Sequence, residues 1–218
     1  MSANQNIIVL DCTKDLNSVK TPLIDCIAAR IPYGEWYYGI DIEKKNKLVI
    51  FSGNSLSLSR LGIEYADKNR TGAETKPHLE ALGDEWKDCI ARPPVDLSVS
   101  LSLPLEDIIK SPVVEPVFFY FSHADPEWER SMERSDKVTK YTAEGYRGST
   151  WGWATEGVHH KSLGDAEGRC FVVISGWESA KAHEAFRRTD EFKVARGQAH
   201  KGLIKAVEWF HVHVNKAK

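Results

Sequence analysis

Short apolar runs alternate with amphipathic segments along the C-terminal half of the chain. Four apolar runs have the length of β-strands: residues 117–123, 145–156, 168–177 and 202–214. Residues 125–141 begin with Asp-Pro, which predicts a first helix. Residues 179–192 repeat apolar positions at three- and four-residue spacing, which predicts a second, amphipathic helix. Ser179 is expected to cap the second helix. The predicted order is β-α-β-β-α-β, the order of a ferredoxin-like unit.

The N-terminal half repeats this pattern in degraded form. The segment KLVIFSGNSLSLSRLGIEY from Lys47 aligns without a gap on CFVVISGWESAKAHEAFRR from Cys170. In this alignment Ser52-Gly53 falls on Ser175-Gly176, and each pair follows an apolar run. Further predicted elements of the first half are strands at 7–10, 36–42 and 95–105, a helix at 17–30 and a helix after the Lys47 strand. The match indicates an internal duplication.

The two repeats are assigned to residues 1–105 and 115–218. Residues 71–92 form an extra segment of the first repeat, read as an inserted helix, and residues 103–115 form a proline-containing linker. The predicted strands are apolar on both faces, so the sheet face without helices needs a partner. We therefore expect an α+β fold in which tandem ferredoxin-like repeats face each other and form one intramolecular α/β-barrel.

The C-terminal repeat carries a signature of a strand, Trp-Glu-Ser and a helix with Ala-His and Phe. Its residues are Trp177, Glu178, Ser179, Ala182, His183 and Phe186. This stretch resembles the dimeric α/β-barrel superfamily, in particular antibiotic-biosynthesis-monooxygenase-type domains duplicated in one chain, as in fungal proteins. The resemblance implies a ligand pocket between the sheet and its helices. It also implies a range of activities, from cofactor-free oxygenases and polyketide cyclases to haem-degrading enzymes.

Composition excludes several classes of function. Hydrophobic residues make up 42% and charged residues 28% of the 218 residues, with a formal net charge of -2, so the chain reads as globular without a basic patch for nucleic acid. No apolar run approaches the ~18 residues of a membrane span. The four cysteines lack any CxxC spacing, and no secretory signal is evident, so we expect a cytoplasmic protein. Nucleotide, zinc-protease and haem-attachment motifs are missing, and we expect no cofactor.

The histidines are the candidate catalytic residues. His211 and His213 lie two apart on a predicted strand and would share one face, with His123 as a conceivable third member. A metal site, a pocket acid/base and ordinary surface histidines are all compatible with this spacing. Since no carboxylate stands at supporting spacing, we expect no metal. His183 reads either as a helix–sheet packing residue or as a further candidate base.

The aromatic residues are the candidate substrate-binding residues. Seven tryptophans are present, and most lie in the C-terminal half with most of the histidines. Large rings are usually core, but indole N–H groups need partners, and a flat aromatic ligand is the alternative. The candidates are Tyr120, Trp151, Trp153, Trp177 and Trp209.

These features favour a cofactor-independent enzyme of secondary metabolism acting on an aromatic or polyketide-like small molecule. Cyclisation or proton transfer by a histidine base, and cofactor-free oxygenation by a monooxygenase, both fit. The alternative is a non-catalytic small-molecule-binding or stress-associated barrel. The ligand is expected in the C-terminal repeat, and a homodimer is an open option.

Overall fold

The computed structural model of the protein describes residues 4–13, 15–16, 20–30, 34–53, 90–91, 94–197 and 203–217. The chain divides into two compact units. Unit 1 comprises Met1–Asn4 and Ser98–Val214, and unit 2 comprises Gln5–Leu97 and Asn215–Lys218. The assignment of residues 1–105 and 115–218 to two repeats stays a prediction. No helix in the described ranges is both long and apolar enough to cross a membrane.

The described residues form nine strands and four α-helices. The strands are β1 (Asn4–Asp11), β2 (Trp36–Asp41), β3 (Lys47–Gly53), β4 (Val95–Ser100), β5 (Val113–Phe121), β6 (Tyr146–Trp153), β7 (Arg169–Trp177), β8 (Ile204–Trp209) and β9 (Val212–Lys216). The helices are α1 (Lys20–Arg30), α2 (Pro126–Thr142), α3 (Ala180–Phe186) and α4 (Asp190–Gly197).

Both units have the same strand order. In unit 1, β7 lies between β5 and β6 and β5 also pairs with β8, all antiparallel, which gives β8-β5-β7-β6. In unit 2 the order is β4-β1-β3-β2. Counted within each unit, both orders run fourth, first, third, second. The predicted α+β fold with tandem ferredoxin-like repeats is confirmed, and both Ser-Gly pairs lie on a third strand.

Helix α2 begins where the sequence predicts it. The Asp125 carboxylate accepts a hydrogen bond from the backbone N–H of Glu127 at 3.0 Å, and Pro126 occupies the first turn. Trp128 of this helix packs its ring 5.1 Å from that of Phe121 and 5.0 Å from that of Phe119. Burying such large rings holds α2 against one face of the unit 1 sheet.

The helix predicted over 179–192 is two helices. Ser179 caps α3 by accepting from the Ala182 N–H at 3.0 Å, which confirms the predicted cap. Helix α3 ends at Phe186, and Thr189 starts a new turn by accepting from the Phe192 N–H. A second side-chain cap inside the predicted helix therefore interrupts it.

The strand predicted over 202–214 is interrupted at Phe210 and His211, between β8 and β9. Val117 pairs with Trp209. Three residues earlier in β5, Val114 pairs with Val212, which lies three residues after Trp209. The register is thus unchanged across the break and sets Phe210 opposite Pro116. We attribute the interruption to Pro116, because proline has no N–H to donate to a ladder.

The start of β5 corrects the predicted linker. Residues 103–115 were expected to be a connection, but they contain a short 3₁₀ helix at Leu105–Asp107, and β5 begins at Val113. The sequence prediction started this strand after Pro116, yet the proline lies inside it. The helix expected after β3 and nearly all of the segment 71–92 lie outside the described residues.

Gly152 of β6 allows a close backbone approach that can be tested. A Cβ at this position would lie 2.0 Å from the carbonyl oxygen of Ser100, whereas a Cβ at Gly53 would meet none of the described residues within 4 Å. We expect Gly152→Ala to lower the free energy of unfolding by about 2 kcal/mol, because backbone must move. Gly53→Ala should change it by less than about 0.5 kcal/mol. Urea denaturation checks both, and equal effects would contradict the close approach.

Candidate functional site

One polar row crosses an otherwise apolar sheet face in unit 1. Alternate residues of a strand share a face, so Glu115 points to the same side as Val117 and Phe119. Glu115 pairs with Ser175 on one side, and Ser175 pairs with Ser149 of β6. The unchanged register of β8 and β9 sets His211 opposite Glu115. A row of four polar residues therefore lies beside the aromatic cluster under α2.

Glu115 is 6% exposed, and its carboxylate is held by hydrogen bonds. The Ser175 hydroxyl donates to Glu115 Oε2 at 3.0 Å, and the Trp177 indole N–H donates to Ser175 Oγ at 2.9 Å. A buried carboxylate is tolerated only when such donors or a cation compensate for lost water. The predicted need of a buried indole for a partner is met at Trp177.

His183 and His211 meet directly next to this carboxylate. Helix α3 carries His183, which is 4% exposed, and His211 is fully buried. Nδ1 of His183 lies 2.7 Å from Nε2 of His211, a hydrogen-bond distance, and Nε2 of His183 lies 3.5 Å from Glu115 Oε2. The three side chains form a continuous chain, Glu115–His183–His211. Such a chain can take up a proton and stabilise the resulting imidazolium.

A second polar group closes the other end of the row. The Ser149 hydroxyl donates to Asp136 of α2 at 2.6 Å, and the Tyr146 hydroxyl donates to the same carboxylate oxygen. Burial raises the pKa of Tyr146 above its ordinary value of 10.0, and the Asp136 charge raises it further. The Tyr146 ring lies 5.1 Å from that of Trp177, which in turn lies 4.6 Å from His183. Aromatic rings therefore link the two polar groups.

The four predicted catalytic histidines do not assemble into one group. His211 and His183 meet, but His213 is exposed and its Nδ1 lies 2.8 Å from the Pro112 carbonyl oxygen. His123 lies past the far end of β5, roughly 25 Å along the strand from Glu115. It lines a surface depression of about 340 Å³ together with Glu167 and Arg169. Of the two histidines predicted to share a face, His211 contacts His183 of α3 and His213 contacts the Pro112 carbonyl group, and which of them is the base stays a prediction.

The predicted substrate-binding aromatics also separate. Trp177 belongs to the polar site, while Trp151 and Trp153 pack in the apolar cluster under α2. Tyr120 lies on the opposite sheet face and stacks 3.9 Å from the His160 ring. Trp209 is 38% exposed, with its ring 5.6 Å from that of His211. The Arg187 guanidinium covers this indole at 4.1 Å.

Sequence reasoning missed Glu115 and Ser175 as site residues. Because Pro116 follows Glu115, the sequence predicts a linker there, and Ser175 stands out only as part of the repeat. The signal that could have found Glu115 is a lone acidic residue within the apolar run VVEPVFFYF. Glu115 lies far from both histidines in sequence, so spacing along the chain does not connect it with them. Glu115, His183 and His211 each offer one metal-ligating atom, all within 4.8 Å of one another.

The corresponding row of unit 2 has different chemistry. Ser52 of β3 pairs with Asn6 of β1 and with Trp36 of β2. Asn6, Ser52 and Trp36 thus stand where Glu115, Ser175 and Ser149 stand in unit 1. None of these three described members is ionisable, so the proton-accepting chain belongs to unit 1.

Solved structures share this architecture. A candidate monooxygenase from Fusobacterium nucleatum superposes with a TM-score of 0.54 over 100% of this chain and 94% of its own, at 12% identity. An anthrone oxidase-like protein superposes with a TM-score of 0.59 over 100% and 96%, also at 12% identity. No family model matches the chain, and no curated protein matches it in sequence.

The chain shares the fold of these two solved structures. The likeness covers the full chain, including both units, and agrees with the resemblance of the C-terminal repeat. At 12% identity it establishes the fold alone and leaves the activity to the site.

Tyr146 should make the protein sensitive to alkaline pH. Its raised pKa in the folded state means that the unfolded chain loses the phenolic proton first, as pH rises above about 10. Stability should be unaffected by this group below pH 10 and fall above it by about 1.4 kcal/mol per pH unit. Tyr146→Phe should remove this loss of stability above pH 10. Urea denaturation of both proteins from pH 8.5 to 11 checks it, and parallel curves would refute the assignment.

Proposed function

We propose that the protein is an enzyme that uses Glu115–His183–His211 as a general base on an aromatic or polyketide-like small molecule, without a cofactor. The observation that carries the proposal is the buried contact of the two imidazoles beside a hydrogen-bonded carboxylate. Unit 2 lacks ionisable groups in its matching described row, so the substrate site is assigned to the C-terminal half.

The chain of contacts gives each residue a role. His211 ends the chain and takes the substrate proton. The proton that bridges the two ring nitrogens lets His183 share the resulting positive charge. Glu115 stabilises the imidazolium that results, since its carboxylate lies 3.5 Å from His183. Ser175 and Trp177 hold that carboxylate in place. Positioned general bases of this kind contribute about 10²–10⁴-fold to a rate.

The substrate approaches over Trp209. This residue precedes the interruption that contains His211, and its partly exposed ring lies 5.6 Å from the His211 ring. A flat substrate can stack on an indole, and the Arg187 guanidinium above it can meet a substrate oxygen. Trp151 and Trp153, by contrast, pack against the apolar cluster under α2 and stabilise the fold.

Two reactions use the same deprotonation. In cyclisation, a carbon next to a carbonyl loses its proton to the base, the enolate carbon bonds to a second carbonyl carbon of the same substrate, and the oxygen of that second carbonyl takes the proton back. In isomerisation, the proton returns to another carbon of the same substrate. In cofactor-free oxygenation, the carbanion gives electrons to molecular oxygen, one oxygen atom enters as a carbonyl, and the other leaves as water with the two substrate hydrogens. The fold shared with a candidate monooxygenase and an anthrone oxidase-like protein supports the second. We place this chemistry in cytoplasmic secondary metabolism, independent of nucleic acid and membranes.

The base can be tested by turnover of an anthrone with no added cofactor. Oxygen consumption by chelator-treated protein is measured against the protein-free rate, and native mass spectrometry reports any retained ligand. His211→Ala should lower kcat by about 100-fold or more, and Glu115→Gln by about 10-fold or more. The matched control His213→Ala, an exposed histidine two residues away, should stay within about twofold. Full activity of His211→Ala would show that the base lies elsewhere. Retained ligand without turnover would favour the non-catalytic alternative.

Trp209 and Trp153 should separate binding from folding. Trp209→Ala should raise KM by about tenfold with little change in the urea midpoint, because its indole is partly exposed beside the base. Trp153→Ala should instead lower the free energy of unfolding by about 3 kcal/mol, because its ring packs against Phe121 and Phe171. Steady-state kinetics and urea denaturation of both variants check this pair. The reverse pattern would show that the substrate lies among the core rings.

A further inference from the structure

We infer that Glu115, His183 and His211 also form a binding site for one divalent first-row transition metal ion, and that the bound ion silences the base. The site lies within unit 1, between β5, α3 and the interruption of β8 and β9. The binding itself does not depend on the proposed function. Only the silencing rests on that function.

The donor set matches this class of ion. Two imidazoles and one carboxylate suit zinc, iron, cobalt, nickel and copper, whereas calcium and magnesium prefer oxygen ligands alone. All three side chains are more than nine-tenths buried, so bulk water competes little with a metal ion for their ligand atoms. One nitrogen from each ring and one carboxylate oxygen lie within 4.8 Å of one another.

The spacing requires a rotation of the side chains. Ligand atoms on a tetrahedral ion with bonds of about 2.1 Å lie roughly 3.4 Å apart. The separations of 2.7 Å to His211 and 3.5 Å to Glu115 start from different nitrogens of His183, Nδ1 and Nε2, and one ion binds only one of them. With one nitrogen from each ring and one carboxylate oxygen, the three ligand atoms lie within 4.8 Å of one another, so rotation of the side chains can bring them to this spacing.

The surroundings resemble those of a prepared metal site. Carboxylate ligands are usually oriented by hydrogen bonds from neighbouring groups, and Ser175 supplies one to Glu115. Trp177 fixes Ser175 in turn, and the Trp177 ring lies 4.6 Å from that of His183. A dipositive ion also compensates the buried carboxylate charge better than neutral donors do.

Metal binding and base catalysis exclude each other at this site. A ring nitrogen that donates its lone pair to a metal ion cannot accept a proton from a substrate. Micromolar zinc should therefore inhibit the turnover described above, and a chelator should restore it.

Isothermal titration calorimetry of chelator-treated, full-length protein with zinc tests the site directly. We expect one ion per chain with micromolar or tighter affinity. His211→Ala and Glu115→Gln should weaken binding by about 100-fold, and Ser175→Ala by about 10-fold, because it disturbs only the orientation of the carboxylate. His213→Ala and His123→Ala, which remove exposed histidines, should bind as the wild type does.

Nitrogen-15 NMR of the histidine rings in the wild-type chain tests the site without any substitution. The spectra of the His183→Ala, His211→Ala and His213→Ala variants assign the wild-type ring signals, since each variant lacks one of them. One equivalent of zinc should shift the wild-type signals of His183 and His211 and leave the signal of His213 in place. No shift of the first pair, or equal affinity in wild type and His211→Ala, would overturn the site.

The outcomes separate the two proposals. Zinc binding with loss of turnover supports both the site and the silencing. Absence of binding with turnover intact overturns the metal site and leaves the base assignment standing. Turnover that appears only after metal is added overturns the silencing and the proposed cofactor-free function, while it supports the site.

Discussion

The site depends on how one buried carboxylate is satisfied. Glu115 is buried, and the residues next to it along its strand on the same face are apolar. Hydrogen-bond donors for its carboxylate must therefore come from other elements of the protein. Ser175 provides a hydroxyl across the adjacent strand, and His183 approaches from the helix above. An unmet carboxylate here would cost several kcal/mol, which constrains the register of β5 against β7. A slip of one residue would turn Glu115 to the opposite face.

Two local devices bring the histidines to that carboxylate. Ser179 caps α3 and sets its first turn, which fixes where His183 stands above the sheet. Pro116 interrupts the ladder opposite Phe210, and His211 follows directly in the interruption. A strand break is a common way to aim a side chain near a functional site. Here it leaves the register intact, so His211 still lies in the row of Glu115.

The proposed site lies in one of the two units. Both units place a Ser-Gly pair on their third strand and share one strand order. The matching described row of unit 2 holds Asn6 and Trp36, neither of which ionises. The fold therefore needs only the apolar pattern of the row's neighbours, while the proposed chemistry depends on three side chains that the fold does not require. For this reason a fold shared at 12% identity does not identify an activity.

The sequence by itself determined many local features: most of the strands, the Asp-Pro start of α2, the Ser179 cap and the α+β class. These follow from periodicity and capping chemistry, which act over a few neighbouring residues. It did not reveal that Glu115 is buried, because a proline after it suggested a linker and strand pairing overrode that suggestion. The choice between His211 and His213 also needed tertiary structure, since both share a predicted face and only α3 distinguishes them. His183 and Glu115 are separated by 68 positions in the sequence. Their contact depends on strand register and on the placement of α3, which no local sequence pattern encodes.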